Sequence, residues 1–334
     1  MQKEQTFWEP LLTSIEEKNC LPFIGQESHN SISFADPAKK SLHYIDLDKI
    51  SNEWAEKHKY PLENTSQISN VAQFLSIKFD SNIFPNKELS RIISKIEPPD
   101  FSQAEYDNTP YSVLAKLPLP IYITTNYDHF MEAALINNNR KPVSDFCRWS
   151  DYLLDNNKYE FEAKRFSENK YSIKGENLSS VLEQGSDYEP KVDRPLVYHL
   201  YGDIAAPASM VLTEKDYFEF VINLQKSSSP LARIPNYILQ SLAISSLMFI
   251  GYNLEDIVFR TIFQGFIRLQ TSNIRDTNIS VHVPREVSKE KAELIMEYLS
   301  SYAEKFYVVD IHWGNINEFI LDLNRRWINY KKTM

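Results

Sequence analysis

The stretch that decides the fold is Leu117–Ile136, LPLPIYITTNYDHFMEAALI. Its apolar run from Ile121 to Thr125 lies between Pro120 and a polar segment, which predicts a short strand. Residues 127–136 have the composition of a helix. A strand, a tight polar turn and a helix in succession form the repeating unit of parallel α/β sheets.

Working outward, the same unit recurs. Residues 4–19 predict an amphipathic helix with Trp8, Leu11, Leu12 and Ile15 on one face. LPFIG, Leu21 to Gly25, predicts a strand, followed by a polar loop from Gln26 to Pro37. Helices are expected over 46–59, over 66–80 with Ser66 as a cap, and over 111–117. Residues 143–194 are charged and aromatic without clear period, and read either as a hairpin-rich small lobe or as a mobile insertion. Beyond them come a strand at 196–201 and a helix at 213–225, capped by Thr213 with Asp216 in its first turn. A helix over 235–245 starting at Pro235, a strand at 246–250 and a helix over 254–269 follow. Strands at 279–283 and 306–311 alternate with helices over 286–304 and 315–329. This alternation predicts an α/β protein: one domain over 1–334, a parallel sheet with helices on both faces, and a smaller helical or irregular lobe at 143–194.

Composition narrows the function. With 36 basic against 45 acidic residues the net charge is −9, which argues against general nucleic-acid or anionic-membrane binding. Cys20 and Cys147 have no metal spacing, and they suggest a reducing, cytoplasmic setting. His29, His43 and His58 do not share metal spacing on one helix either, so no metal is expected. The N-terminal residues lack an apolar signal core, and no run is long enough to span a membrane. The nucleophile-elbow and P-loop motifs are absent. Glycine is scarce, only seven residues, and Gly25, Gly202 and Gly251 each end an apolar run. Ligands of open parallel sheets bind beyond the carboxyl ends of the strands. The loops 25–30, 124–128, 201–204 and 251–256 therefore outline a candidate nucleotide cleft.

Four elements carry a resemblance. ITTNYDHFMEAAL is similar to the TTNYD motif of SIR2-like domains of bacterial anti-phage systems. VYHLYGD with VLTEKDYFEF, FIGYNLEDIVFRTIF and HWGNINEFILDLNRRW resemble three further elements of that family, in the same order. The resemblance implies a Rossmann-like, NAD-binding domain that cleaves the nicotinamide–ribose bond of NAD, its substrate, through an oxocarbenium-like centre. It implies Asn126 as the catalytic asparagine and Asp128 as the acid of the nicotinamide pocket. The cofactor-binding set it implies is Gly25, Gln26, Glu27, Ser28, Thr124, Thr125, Asp128, Gly202, Asp203, Gly251 and Asn253. His199 and Tyr201 join Asn126 as catalytic candidates. A separate activating partner is implied too, such as a nucleotide-sensing protein or a HerA-type ATPase. The 19 tyrosines and 19 phenylalanines make a homo-oligomer plausible.

Two departures stand out. Where the family's first strand ends in Gly-Ala-Gly-x-Ser, this chain has Gly25 followed by Gln26, Glu27, Ser28 and His29. Glu27 would place a negative charge near the diphosphate, and two unit charges about 4 Å apart repel by about 4 kcal/mol at an effective dielectric of 20. Tyr201 stands where the family has the histidine of its His-Gly pair, and tyrosine is a poor base at neutral pH. His199, two residues earlier on the same strand face, is a substitute base or a packed core histidine. Asn126 equally suits a helix cap. Asn253, Glu255 and Asp256 either meet an adenosine ribose or start the next helix. Two functions follow: an NAD-hydrolysing effector, or a catalytically degenerate module serving as scaffold or nucleotide sensor. Protein deacetylation is disfavoured, because the family's zinc module needs four cysteines and only two exist here.

Overall fold

A computed structural model describes residues 7–35, 44–154, 176–177, 188–225, 233–270, 278–282, 289–306 and 309–333. In chain order the elements are α1 (Trp8–Glu16), β1 (Cys20–Ile24), α2 (Ser28–Ala35), α3 (Leu47–His58), α4 (Ile68–Lys78), α5 (Phe84–Ile93) and α6 (Pro110–Lys116). β2 (Ile121–Thr124), α7 (Phe130–Asn137), β3 (Val143–Phe146), α8 (Asp151–Leu154), β4 (Glu176–Asn177) and β5 (Leu196–His199) follow. The chain continues through α9 (Glu214–Gln225), α10 (Asn236–Ile244), β6 (Ser246–Ile250) and α11 (Ile257–Leu269). It closes with β7 (Asn278–His282), α12 (Lys289–Phe306), β8 (Val309–Trp313) and α13 (Ile316–Thr333).

The strands form one eight-stranded sheet in the order β4-β3-β5-β2-β1-β6-β7-β8. Every pairing is parallel. The chain is α/β and Rossmann-like. Its strands bury both faces, so successive residues alternate between two apolar layers. Cys20, Ile24, Tyr122, Val197, Met248 and Ile250 pack with α1, α3–α7 and α13. Leu21, Phe23, Ile123, Tyr198, Leu247 and Phe249 pack with α8–α12. The strand order reverses direction at β1, which lies between β2 and β6. Ligands of open α/β sheets bind at such a switch point.

Several local expectations change. The polar stretch after Gly25 forms α2 rather than a loop. The cap of α4 is Gln67, while the Ser66 hydroxyl turns to Asn64 Oδ1 at 3.2 Å. α5, unmarked by the sequence reading, packs on α4 and the 207–209 turn. Residues 143–146 join the main sheet beside β5, so the start of the 143–194 segment is not a separate lobe. Residues 155–175 and 178–187 of that segment lie outside the described residues. The helix expected over 286–304 runs to Phe306, and the strand placed at 306–311 occupies Val309–Trp313. The capping of α9 follows expectation: Asp216 N donates to Thr213 Oγ1 at 3.1 Å and Thr213 N to Asp216 Oδ2 at 2.9 Å. No helix among the described residues is long and apolar enough to cross a membrane.

Candidate functional site

The carboxyl ends of β5, β2, β1 and β6 lie side by side, so the four loops outlined by the sequence meet along one edge of the sheet. The β1 and β6 loops touch through their backbones. Gly25 N donates to Ile250 O at 2.8 Å, and Glu27 N to Gly251 O at 3.2 Å. A Cβ on Gly25 would lie 2.3 Å from Gly251 O, and one on Gly251, whose φ is +80°, would lie 2.5 Å from Ser28 Oγ. Both positions therefore need glycine. Ser28 Oγ donates to Ile250 O at 3.3 Å, and Gln26 Nε2 to Ile45 O at 3.0 Å. Glu27 is half-buried beside them. Gly25, Gln26, Glu27, Ser28 and Gly251 are thus brought together, but the space between them is filled by their own atoms.

Thr124 and Thr125 also close on neighbours. Thr124 Oγ1 donates to Ile24 O at 3.1 Å and accepts from Asn126 N at 3.0 Å. Thr125 Oγ1 donates to Tyr252 OH at 3.2 Å. Asn253 Oδ1 accepts from Glu255 N at 2.8 Å, which builds the turn into α11.

Asn126 is buried, 2% exposed. It does not cap α7; that helix begins after His129, and Asp128 Oδ1 accepts from Phe130 N at 2.9 Å. The Asn126 carboxamide instead points inward. Its Nδ2 donates to Gly25 O at 3.3 Å and to Tyr111 OH at 3.2 Å. Its Oδ1 is buried without a hydrogen-bond partner. Asp128 faces His29, whose Nε2 lies 2.9 Å from Asp128 Oδ2. Burial alone would raise the Asp128 pKa, but the imidazole and the Phe130 N–H outweigh it and lower it.

His199 ends β5 and is fully buried. Its Nδ1 lies 3.1 Å from Asn126 O, and its Nε2 lies 2.8 Å from Glu132 Oε1. The Asn126 carbonyl can only accept, so Nδ1 carries a proton. Burial works against the charge of His199, yet Glu132 outweighs it and raises the pKa to about 8. Ser144 Oγ donates to the same Glu132 oxygen at 2.8 Å. Asp203 lies in the turn after β5 and meets His129 Nε2 at 2.9 Å. Burial opposes the charge of His129, and Asp203 raises its pKa to about 10. Three His–carboxylate pairs thus crowd one buried pocket: His29–Asp128, His129–Asp203 and His199–Glu132.

The strand ends at His199 instead of continuing to Tyr201, so alternation does not bring their side chains together. The Tyr201 ring packs edge-on against Tyr217 and Phe220, each 5.4 Å away between centroids, and borders both apolar layers. Burial, first of all, holds its hydroxyl pKa well above the ordinary value. Gly202, at φ +91°, permits the close approach of Ser209 O, 2.2 Å from where a Cβ would stand.

A slot of about 10 Å³ lies among Thr125, Tyr201, Tyr252 and Phe259, and it does not reach Asn126. The large hollow, about 770 Å³, lies elsewhere, between the start of α5, the 149–152 turn and the start of α9. His29, Tyr111, His129 and Glu132 are the site residues the sequence reading did not select. His129 and Glu132 stand three residues apart at the start of α7, a same-face spacing that was available as a signal. His29 and Tyr111 reach the pocket only through tertiary packing.

The sheet, its switch point and the TTNYD turn define a class. A family model for the SIR2-like domain matches residues 120–303, more than half of the chain, and the chain belongs to that family. It is similar to the NAD(+) hydrolase ThsA of Cytobacillus dafuensis, at 23% identity over 304 residues, covering 86% of this chain and 51% of that protein. It is also similar to the NAD(+) hydrolase ThsA of Acinetobacter baumannii (strain 532279), at 21% identity over 335 residues, covering 95% of this chain and 55% of that protein. The chain therefore spans about half the length of these relatives.

Proposed function

We propose that this chain is the NAD-hydrolysing module of an anti-phage effector, shut in the conformation described and opened by a separate activating or sensing protein. The observation that carries this reading is the Asn126 carboxamide. Its nitrogen is held by two acceptors, and its buried oxygen has none of its own donors. Leaving a buried acceptor unpaired costs about 1–3 kcal/mol, a cost that a donor from a water or ribose hydroxyl would remove. The unpaired oxygen supports placing Asn126 on the nicotinamide side, where the resemblance also puts Asp128. The diphosphate side, Gly25 to Ser28 with Gly251, must separate before a dinucleotide could enter.

The N-glycosidic bond of NAD already carries a good leaving group, so the chain need supply little base assistance. Asn126 would orient the attacking water or the ribose. His199, with both ring nitrogens committed to acceptors, is a positioning residue: its Nδ1–H fixes the carbonyl of Asn126. Asp128 would stay ionised at neutral pH, as its lowered pKa favours. The buried, free thiols of Cys20 and Cys147 suit a cytoplasmic setting.

The test is nicotinamide release from NAD, measured for the chain alone and for the assembly that co-purifies with it. The chain alone should be silent and the assembly active. Asn126→Ala should cut the assembly's rate by about 100-fold or more. Full-rate release by that variant would refute the site.

A second reading is a catalytically silent module acting as scaffold or nucleotide sensor. Tyr201 favours it, because its ring is packed against Tyr217 and its hydroxyl is a poor base. Absence of release under every condition, with NAD failing to bind, would select this reading. If the site is degenerate, Glu27→Gly with Tyr201→His should strengthen NAD binding.

A further inference from the structure

The second half of the polar pocket has the makings of a metal site. His129 sits at the cap position before α7 and Glu132 in its first turn, while His199 ends β5 and Asp203 lies in the turn after it. The ligand atoms of His129, His199 and Asp203 lie within 4.8 Å of one another. His129 Nε2 is 2.9 Å from Asp203 Oδ2, and His199 Nε2 is 2.8 Å from Glu132 Oε1 and 4.0 Å from Asp203 Oδ2. A tetrahedral ion with bonds of about 2.0–2.1 Å needs its ligand atoms about 3.3 Å apart. Two of these separations are a few tenths of an ångström short of that value and one is about 0.7 Å long, so a bound ion would replace the ring protons that now bridge the two pairs and draw Asp203 and His199 together.

Three further observations point to a cation. Glu132 is 1% exposed, and its second carboxylate oxygen, beside the one that meets His199, has no hydrogen-bond partner. His199 Nδ1 donates to a backbone carbonyl, which turns Nε2 toward the carboxylates, as the outer shell of a metal-bound histidine does. The carboxylates are oriented in turn: Asp203 Oδ1 accepts from Ala205 N at 2.7 Å, and Glu132 Oε1 from Ser144 Oγ at 2.8 Å. The His129 side chain, at 18% exposed, provides the way in.

We propose that His129, Glu132, His199 and Asp203 bind a first-row transition-metal dication, with zinc the best match to two imidazoles and two carboxylates. The expectation of no metal rested on cysteine number and on histidine spacing within a helix. It did not weigh a pair of histidines that only the β2–β5 pairing brings together. A bound ion would clamp the start of α7 to the exit of β5. Through the His199–Asn126 contact it would fix the loop that carries Asn126.

The test needs no NAD, so its result is separate from that of the hydrolase reading. The full chain is equilibrated with excess Zn²⁺, desalted and assayed for metal by mass spectrometry. A parallel sample with Co²⁺ is read by visible absorption. About one zinc per chain and the intense visible bands of four-coordinate cobalt are expected. His129→Ala, at the partly exposed corner, and Asp203→Asn should each weaken binding by about 100-fold or more, whereas His58→Ala on α3 should not. Circular dichroism confirms that each variant is folded. A wild-type chain that retains no zinc, or zinc retained equally by folded His129→Ala and Asp203→Asn, would overturn the site.

Discussion

The β1–β6 seam and the β2–β5 pocket lie on the same edge of the same sheet, yet they are built on opposite terms. At the seam, backbone meets backbone: Gly25 and Gly251 touch, and Tyr252 latches onto Thr125. At the pocket, side chains meet side chains, and the polar inventory exceeds what internal partners satisfy. A seam whose own atoms fill a ligand's place is stable when closed. In the pocket, the unpaired Asn126 oxygen costs about 1–3 kcal/mol until a donor reaches it. The backbone seam and the unpaired Asn126 oxygen are separate features, so each can be broken alone.

The largest effect should come from the seam. Gly251→Ala would place a methyl 2.5 Å from Ser28 Oγ and 2.7 Å from Ser28 N at a φ of +80°. We expect destabilisation of about 4 kcal/mol or more, read by urea denaturation. Next comes the pocket. Glu132→Ala strands the buried His199, and breaking one side of a buried pair typically costs about 3–5 kcal/mol. The same pair sets a pH dependence in chelator-treated protein. The folded pKa of His199, about 8, exceeds its ordinary value, so its stabilisation is complete below about pH 6.5 and lost as pH rises to about 8. His129, at about 10, extends the decline further. Glu132→Gln should flatten the first part of that slope and leave the second, as thermal melts across pH would show. The smallest effect belongs to the latch: Tyr252→Phe should cost about 1 kcal/mol, and a loss above about 3 kcal/mol would mean that the hydroxyl holds more than Thr125.

Legibility followed the range of the interactions. Ser246–Ile250 was readable to the residue because an apolar run bounded by a helix end and a glycine is a local signal. Asn126 was singled out through the resemblance of its TTNYD turn, since the residue alone suits a helix cap equally well. α2 was hidden, because SHNSISFA has a weak apolar stripe and reads as polar. The capping role offered for Asn126 fell to a helix start three residues later, and the strand credited to Tyr201 stopped at His199. Small offsets of this kind decide which layer a side chain enters.

By itself, the amino-acid order determined the α/β alternation, the parallel sheet and the turns on its carboxyl edge, since periodicity and strand-ending glycines act over a few residues. Only the tertiary structure decided that His29 meets Asp128, that His129 and Glu132 face His199 and Asp203, and that the β1 and β6 loops close on each other. Those contacts join residues far apart in the chain. Their energies depend on burial and on separations of a few ångströms, which no local pattern encodes.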